Sequence, residues 1–256
     1  MSSKIQRLFV TGASTGLGHG LADHYARKGA HLGLVARRES LLRDAEKEWT
    51  ARGARVEVYA GDVADTDFMA KSAEAFVAAA GGVDLVFANA GVGIANRVLE
   101  GEAREIAWLM NVNVVGVTNT VVPFVPHMVK QGSGVLCAVG SMAGHQPLPG
   151  RAAYSASKAC VNTFMSALRM DLHGTGVHAM TLCPGFVDTP LTKDNPSMMF
   201  VIDVPQAVEY MVGAIESRKG TYTFPWQMNV LKEVMMRAPE PVIRMIAPAP
   251  RTRSSK

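Results

Sequence analysis

The sequence predicts an α/β protein, a doubly wound parallel sheet in a single domain. Three features predict it: the chain length, a series of strand-length apolar runs, and the amphipathic segments between them. Single hydrophobic cores grow to about 250 residues before chains divide, so 256 residues fit one large core better than two small ones. The runs at 8–10, 31–36, 56–60, 85–88, 135–139 and 177–182 are short and rich in Val, Leu or Phe, as strands are. Between them, 17–28, 41–52, 67–80 and 152–172 space their apolar side chains by three and four among Ala, Glu, Arg and Lys, which marks amphipathic helices. Strands alternating with helices imply right-handed crossovers and a sheet covered on both faces, with its ligand site beyond the strand carboxyl ends.

Past Pro184 the pattern loosens. Residues 187–200 are broken by Pro190 and Pro196 and carry Met198-Met199-Phe200, the pattern of a mobile flap over about 187–203. A helix at 204–217 and a strand at 222–224 complete a domain over 1–225. An apolar segment at 226–237 then leads into a tail with Pro239, Pro241, Pro248 and Pro250.

Composition narrows the function. With 48% hydrophobic and 19% charged residues the chain is globular rather than disordered. Its net charge of +4 is not gathered into a basic block, so nucleic acid is not indicated as a partner. Arg251, Arg253 and Lys256 beside Ser254 and Ser255 read as a solvated tail. Cys137, Cys160 and Cys183 lack any CxxC spacing, which implies no disulfide framework and no metal site. Residues 1–7 lack the features of a secretory signal, and no run approaches the roughly 18 apolar residues of a membrane span. A cytoplasmic location is expected.

The first strand leads into Thr11-Gly12-Ala13-Ser14-Thr15-Gly16-Leu17-Gly18. Glycine there lets the backbone approach a pyrophosphate, and the helix N-terminus offers it unpaired N–H groups. The spacing is Gly-x-x-x-Gly-x-Gly, not the more general G-x-G-x-x-G. Dinucleotide sites of this Rossmann type often place an acid at the end of the second strand to bind the adenosine ribose. Ala36-Arg37-Arg38 stands there instead. Two guanidiniums able to hold a 2′-phosphate, with no acid to repel it, favour NADP(H) over NAD(H). The alternative is a pair of solvated arginines at a strand end. Asp62 is placed to bond an adenine amino group, with Val63 beside the ring.

Reducing a carbonyl needs a proton donor beside the developing alkoxide and groups that hold the partners in register. Tyr154 and Lys158 are four apart and share one helix face. An ammonium near a phenol favours the phenolate, drawing the tyrosine pKa from about 10 toward neutrality. Such a pair alone is common on surface helices. Ser141, just past the run at 135–139, adds a hydroxyl at a strand carboxyl end that can polarise a carbonyl oxygen.

With these residues together, the chain resembles the short-chain dehydrogenase/reductase family, from Leu8 to about Phe224. Thr11 to Gly18 matches the family's nucleotide loop, and Asp62 its adenine contact. Asn89-Ala90-Gly91 resembles the segment that braces the central sheet beside the cofactor. Asn113, three before Gly116, matches the family's catalytic asparagine, which holds a water linking the lysine to solvent. Ser141, Tyr154 and Lys158 complete the tetrad. Pro184-Gly185-Phe186-Val187-Asp188-Thr189 resembles the nicotinamide-contacting segment, which implies cofactor contacts at Pro184, Gly185, Val187 and Thr189. Two departures stand out: Ala88 where many relatives carry Asn, and Thr15 where no Lys or Arg assists Arg37 and Arg38. The resemblance implies hydride transfer between nicotinamide C4 and a carbonyl carbon. Tyr154 would protonate the oxygen and Ser141 orient it, while Lys158 holds the ribose and lowers the Tyr154 pKa. It also implies a homodimer or homotetramer through 102–130 and 152–172.

The variable pocket is expected from 91–95, 142–148 and 192–200, where Val92, Ile94, Met142, Leu148, Met198, Met199 and Phe200 suggest a hydrophobic carbonyl compound as substrate. His145 faces either water or substrate. Trp226, Val230, Leu231, Val234, Met235, Ile243, Met245 and Ile246 make the C-terminal region apolar; it could meet a membrane surface, close the pocket or cover a neighbouring subunit. Rival readings are an epimerase or dehydratase on the same fold, and a non-catalytic NADP sensor.

Overall fold

The computed structural model describes residues 5–93, 98, 101–193 and 198–246. Seven strands form one parallel sheet: β1 (Arg7–Thr11), β2 (His31–Ala36), β3 (Arg55–Ala60), β4 (Leu85–Ala88), β5 (Gly134–Val139), β6 (Val177–Pro184) and β7 (Thr221–Phe224). Their order is β3-β2-β1-β4-β5-β6-β7, every neighbouring pair parallel. The order reverses between β1 and β4, and a crevice opens at such a switch point beyond the strand carboxyl ends.

The helices are α1 (Gly16–Ala26), α2 (Glu39–Ala51), α3 (Thr66–Ala80), α4 (Ala103–Gln131), α5 (Ala152–Asp171), α6 (Val204–Glu216), α7 (Trp226–Arg237) and α8 (Glu240–Ile246). Strand alternation divides the core into two layers. Leu8, Val10, Leu32, Leu34, Phe87 and Cys137 face α1, α2 and α6, where they meet Leu21, Tyr25, Trp49 and Met211. Phe9, Val86, Leu136 and Ala138 face the other way, against Met69 and Phe76 of α3, Val112 and Val117 of α4, and Val161 and Met165 of α5. Each fully buried Leu or Phe contributes about 2 kcal/mol by leaving water. Phe9 is the hub of the second layer, its ring 4.8 Å from that of Phe124 and 5.5 Å from that of Phe76. Gly33 allows this inside β2, since a Cβ there would lie 2.6 Å from Phe9.

Local signals place the helix ends. Asp65 caps α3 by accepting from the Phe68 N–H at 3.0 Å, and Gly81 ends it at φ 70°. Asp203 caps α6 by accepting from the Gln206 N–H at 2.8 Å. Far from the crevice, Arg7 meets Asp84 at 2.6 Å and joins the start of β1 to β4.

α4 is long and apolar enough to span a membrane by length and composition, yet half of that window is buried in the fold, as in the core helix of a globular protein. Two backbone bonds join the ends of the segment expected as a flap: the Asp188 N–H donates to Ile202 O at 2.9 Å, and the Ile202 N–H to Phe186 O at 3.1 Å. α8 lies where the sequence suggested only a proline-rich tail. α7 packs Met228 and Met235 onto the body. Pro196, Pro248, Pro250, Arg251, Arg253, Ser254, Ser255, Lys256 and the side chain of Ile246 lie outside the described residues, as does the stretch 1–4.

Candidate active site

The loops after β1, β4, β5 and β6 carry the motif residues to one edge of the sheet. Gly12 and Gly16 have φ of 68° and 62°, values that L side chains rarely adopt. At Gly18 a Cβ would fall 2.5 Å from both Asn89 Nδ2 and Gly12 O. Asn89 fills that space, donating from Nδ2 to Thr11 O at 3.1 Å and Gly12 O at 3.2 Å. Thr11 Oγ1 in turn accepts from the N–H groups of Asn89 and Ala90. The end of β4 thereby holds the glycine loop open. Leu17 opens α1, whose N-cap Thr15 makes no side-chain capping bond and whose first turn carries no acid. Its first N–H groups are therefore free for an anion, and a dinucleotide pyrophosphate fits. Arg38 donates to Ser14 Oγ at 2.9 Å and Thr15 Oγ1 at 3.1 Å, bringing a guanidinium beside the loop. Arg37 is exposed, with no hydrogen-bond or ion-pair partner among the described residues.

Ser141 follows β5 and begins a short turn (Met142–Gly144), its Oγ accepting from the Ala143 N–H at 3.1 Å. That leaves its hydroxyl hydrogen for another acceptor. Its carbonyl accepts from Asn162 Nδ2 at 3.2 Å. The turn sits close on α5 because residue 144 is glycine; a Cβ there would lie 2.5 Å from the Lys158 carbonyl carbon. The Ser141 side chain lies beside the Tyr154 phenol and lowers its pKa. Lys158 is 5% exposed; its Nζ donates to Val139 O at 2.8 Å and lies 5.9 Å from the centre of the Tyr154 ring.

Burial sets the proton affinities here. It pushes the Tyr154 phenol above its ordinary value, against the opposing pull of the Ser141 hydrogen bond and Arg151. Burial also lowers Lys158 from 10.5 to about 8. The expectation that Lys158 draws Tyr154 toward neutrality is therefore corrected: in this arrangement desolvation outweighs any attraction between them, since both charged forms lose water.

Asn113 is fully buried in a π-helical segment of α4 (Asn111–Val115). Its Oδ1 accepts from the Val92 N–H at 2.8 Å, and its Nδ2 donates to Val92 O at 3.0 Å and Ser157 Oγ at 3.1 Å. Both amide hydrogens are thus committed to protein, so the side chain ties α4 to the loop after β4 and to α5 rather than offering a donor to water. Gly91 lets that loop approach; a Cβ there would lie 3.3 Å from Asn113 Oδ1 and 3.7 Å from Lys158 Nζ.

Two further positions differ from expectation. The Val63 side chain is 5% exposed and abuts Gly116, so its isopropyl group is not available to an adenine ring. Asp62 Oδ1 accepts from the Ala64 N–H at 3.0 Å. His145 is half-buried, with Nε2 3.8 Å from Cys183 Sγ; burial and Lys232 lower its pKa.

Beyond Pro184, the Gly185 N–H donates to Phe224 O at 2.7 Å. Val187 is buried. Thr192 fastens the segment, accepting at Oγ1 from the Thr189 N–H at 3.1 Å. A Cβ on Gly16 would lie 3.4 Å from Thr189 Cγ2, so this segment borders the glycine loop. Ile94 and Ala95, expected in the pocket wall, lie outside the described residues.

Sequence reasoning missed Ser157, Asn162 and Lys232. Ser157 and Asn162 had a signal: both are polar on the inward face of the helix that carries Tyr154 and Lys158. Lys232 had none, because the groups it acts on at this site, Cys183 and His145, are 49 and 87 residues away.

The family model for short chain dehydrogenases matches residues 6–199. The chain belongs to that family. A short-chain dehydrogenase of this kind is an oxidoreductase acting on CH–OH groups with NAD or NADP. Among its relatives, a Myxococcus xanthus protein named an uncharacterized oxidoreductase is 40% identical over 234 residues, covering 91% of this chain and 92% of its own. A Mycobacterium tuberculosis oxidoreductase is 31% identical over 224 residues, 86% of this chain and 88% of its own. A Burkholderia phymatum short chain dehydrogenase/reductase solved with NAD superposes over 100% of both chains, with a TM-score of 0.84 and 25% identity. A Thermococcus sibiricus alcohol dehydrogenase solved with 5-hydroxy-NADP covers 86% of this chain and 96% of its own, with a TM-score of 0.78 and 24% identity.

Proposed function

We propose that this enzyme uses NADP(H) to interconvert a hydrophobic ketone and its secondary alcohol. The observation that carries the reading is the meeting of Ser141, Tyr154 and Lys158 at the carboxyl end of β5, on the edge that also holds the glycine loop. Structural neighbours are titled with NAD in one case and an NADP derivative in another, so cofactor choice falls to the end of β2. There Ala36 removes the acid that would repel a 2′-phosphate, and Arg37 and Arg38 supply charge-assisted donors for it. Gly12 to Gly18 would hold the pyrophosphate, Asp62 the adenine, and Pro184 to Thr189 the nicotinamide end. The cofactor supplies or accepts the hydride.

The residues of this chain do the rest. Ser141 would turn its hydroxyl hydrogen to the substrate oxygen. Tyr154 gives that oxygen a proton on reduction and takes it back on oxidation; its raised pKa keeps the phenol protonated, which suits reduction. Lys158, with a pKa of about 8, is mostly cationic at pH 7 and stabilises the phenolate that proton transfer leaves. Asn113, Ser157 and Asn162 hold this group in register through the hydrogen bonds described above. Val92, Met142 and Leu148 are half-buried beside these residues, and Met199 and Phe200 are exposed on the flap, which supports an apolar substrate.

Trp108, Val115, Val122 and Val129 are exposed at seven-residue intervals along α4, and Met170 on α5, which supports pairing of two copies through these helices. Three free cysteines suit a reducing, cytoplasmic compartment. The test of the reading is NADPH consumption across ketones graded in chain length, with NADH and Tyr154→Phe in parallel. Turnover that prefers NADPH and vanishes in the variant supports it; tight NADPH binding with no turnover of any ketone or alcohol favours a sensor instead.

A further inference from the structure

The backbone pairing that carries the chain toward Ser141 stops one residue short of it. β5 and β6 are in register as far as Val139 and Leu182, and the Gly140 N–H donates to Leu182 O at 2.8 Å. Past that bond a side chain takes over, Asn162 Nδ2 donating to Ser141 O at 3.2 Å. The other end of the same amide is also engaged: Cys183 Sγ donates to Asn162 Oδ1 at 3.8 Å. A thiol has one hydrogen. With that hydrogen on Asn162, the sulfur is left to accept from His145 Nε2, also 3.8 Å away. His145 closes the short turn that Ser141 opens. The contacts therefore leave the turn at His145, pass through Cys183 and Asn162, and return to it at Ser141 O. Cys183 and Asn162 are both buried, so water does not compete for these groups. Burial pushes the Cys183 thiol up to about 12, which keeps its hydrogen in place at neutral pH. Residue 140 is glycine where the chain of contacts passes; a Cβ there would collide with Asn162 Oδ1 and lie 3.1 Å from Cys183 Sγ.

We infer that Cys183 and His145 are positioning residues for the reaction: with Asn162 they staple both ends of the turn at 141–145 to β6 and α5, and so fix where the Ser141 hydroxyl points. This rests on the reading of Ser141 as the group that orients the substrate oxygen. The turn needs such a staple because its own bonds are internal to it. Ser141 Oγ accepts from the Ala143 N–H, and the His145 N–H donates to Met142 O, so the turn could shift as a unit and carry the hydroxyl with it. A displacement of about 1 Å at a reacting group is enough to cost a large factor in rate. A cysteine that merely filled space in the core would act through volume alone. In this chain its hydrogen bonding matters, so serine serves in its place and alanine does not.

The test pairs a structural readout with a kinetic one. Hydrogen–deuterium exchange over 140–146, read by mass spectrometry, should quicken by about fivefold in Cys183→Ala and in His145→Leu. It should stay near the parent rate in Cys183→Ser and His145→Gln, which keep the polar atoms of the chain of contacts. With the ketone of the graded series that the parent turns over fastest, Cys183→Ala should lower kcat roughly tenfold and leave the NADPH Kd unchanged, and Cys183→Ser should restore most of the loss. The decisive comparison is made in a Ser141→Ala background, where the backbone of the turn remains and the hydroxyl is gone. There Cys183→Ala should cost less than about twofold in residual kcat, because what it positions has been removed. The same tenfold loss in both backgrounds overturns the inference, as does unchanged exchange or unchanged kcat in Cys183→Ala. Full activity of Ser141→Ala by itself, or a parent that turns over no ketone, overturns instead the role read for Ser141, and this positioning role with it.

Discussion

Replacing Lys158 by Met should stabilise the cofactor-free fold at neutral pH. Nζ is buried, and burial lowers its pKa from 10.5 to about 8. Between those values the unfolded chain binds more protons at this site than the folded chain, so wild-type stability rises with pH across the window; below about pH 8 the full penalty is present. The gap, at about 1.36 kcal/mol per pH unit, is worth about 3 kcal/mol. Met also removes the 2.8 Å bond to Val139 O, which offsets about 1–2 kcal/mol. The net gain at pH 7 is then about 1–2 kcal/mol, or roughly 2–8 °C in Tm for a chain of this size. The decisive assay is urea unfolding of both proteins without cofactor from pH 7 to 10.5. The advantage of Lys158→Met should shrink by about 3 kcal/mol over that range and turn into a deficit as the lost hydrogen bond takes over. A constant difference across the range would refute the argument that desolvation governs Lys158. The variant should be catalytically dead throughout, so stability and activity would be seen to oppose each other at one nitrogen.

Other substitutions test separate parts of the site. Tyr154→Phe should lower kcat by about 10²–10⁴-fold while fluorescence titration gives an unchanged NADPH Kd, because only proton transfer is lost. Changing Arg37 to Ala and Arg38 to Asp together should lower the NADPH-to-NADH ratio of kcat/KM by roughly 100-fold, two charge-assisted contacts being replaced by repulsion; an unchanged ratio would return these arginines to mere solvated surface. Gly18→Ala places a Cβ 2.5 Å from Asn89 Nδ2 and Gly12 O, so it should cost about 1–3 kcal/mol in urea unfolding and weaken cofactor binding. Thr11→Val strands the Asn89 and Ala90 N–H groups and should lower stability by about 2 kcal/mol, with Thr11→Ser recovering most of it.

Much of the architecture was legible because its signals are local. A run such as 31–36 is strand-length, parallel and buried, so it declares itself by composition, and the structure gives His31–Ala36. The helix carrying Tyr154 and Lys158 was equally visible, starting at Ala152 as its pattern implies. α8 was hidden because Pro239 and Pro241 look like breakers, although proline is tolerated in a first turn where its missing N–H has no partner to lose. The sequence by itself determined the strands, the glycine loop, the family and the identity of the groups available for chemistry, since each depends on neighbours along the chain. Only the tertiary structure decided how those groups behave. Asn113 spends its amide on Val92 and Ser157, Val63 turns into the core against Gly116, His145 meets Cys183, and Tyr154 and Lys158 are shifted by burial rather than chiefly by each other. Desolvation is a sum over everything packed around an atom, and most of what surrounds these atoms comes from distant parts of the chain.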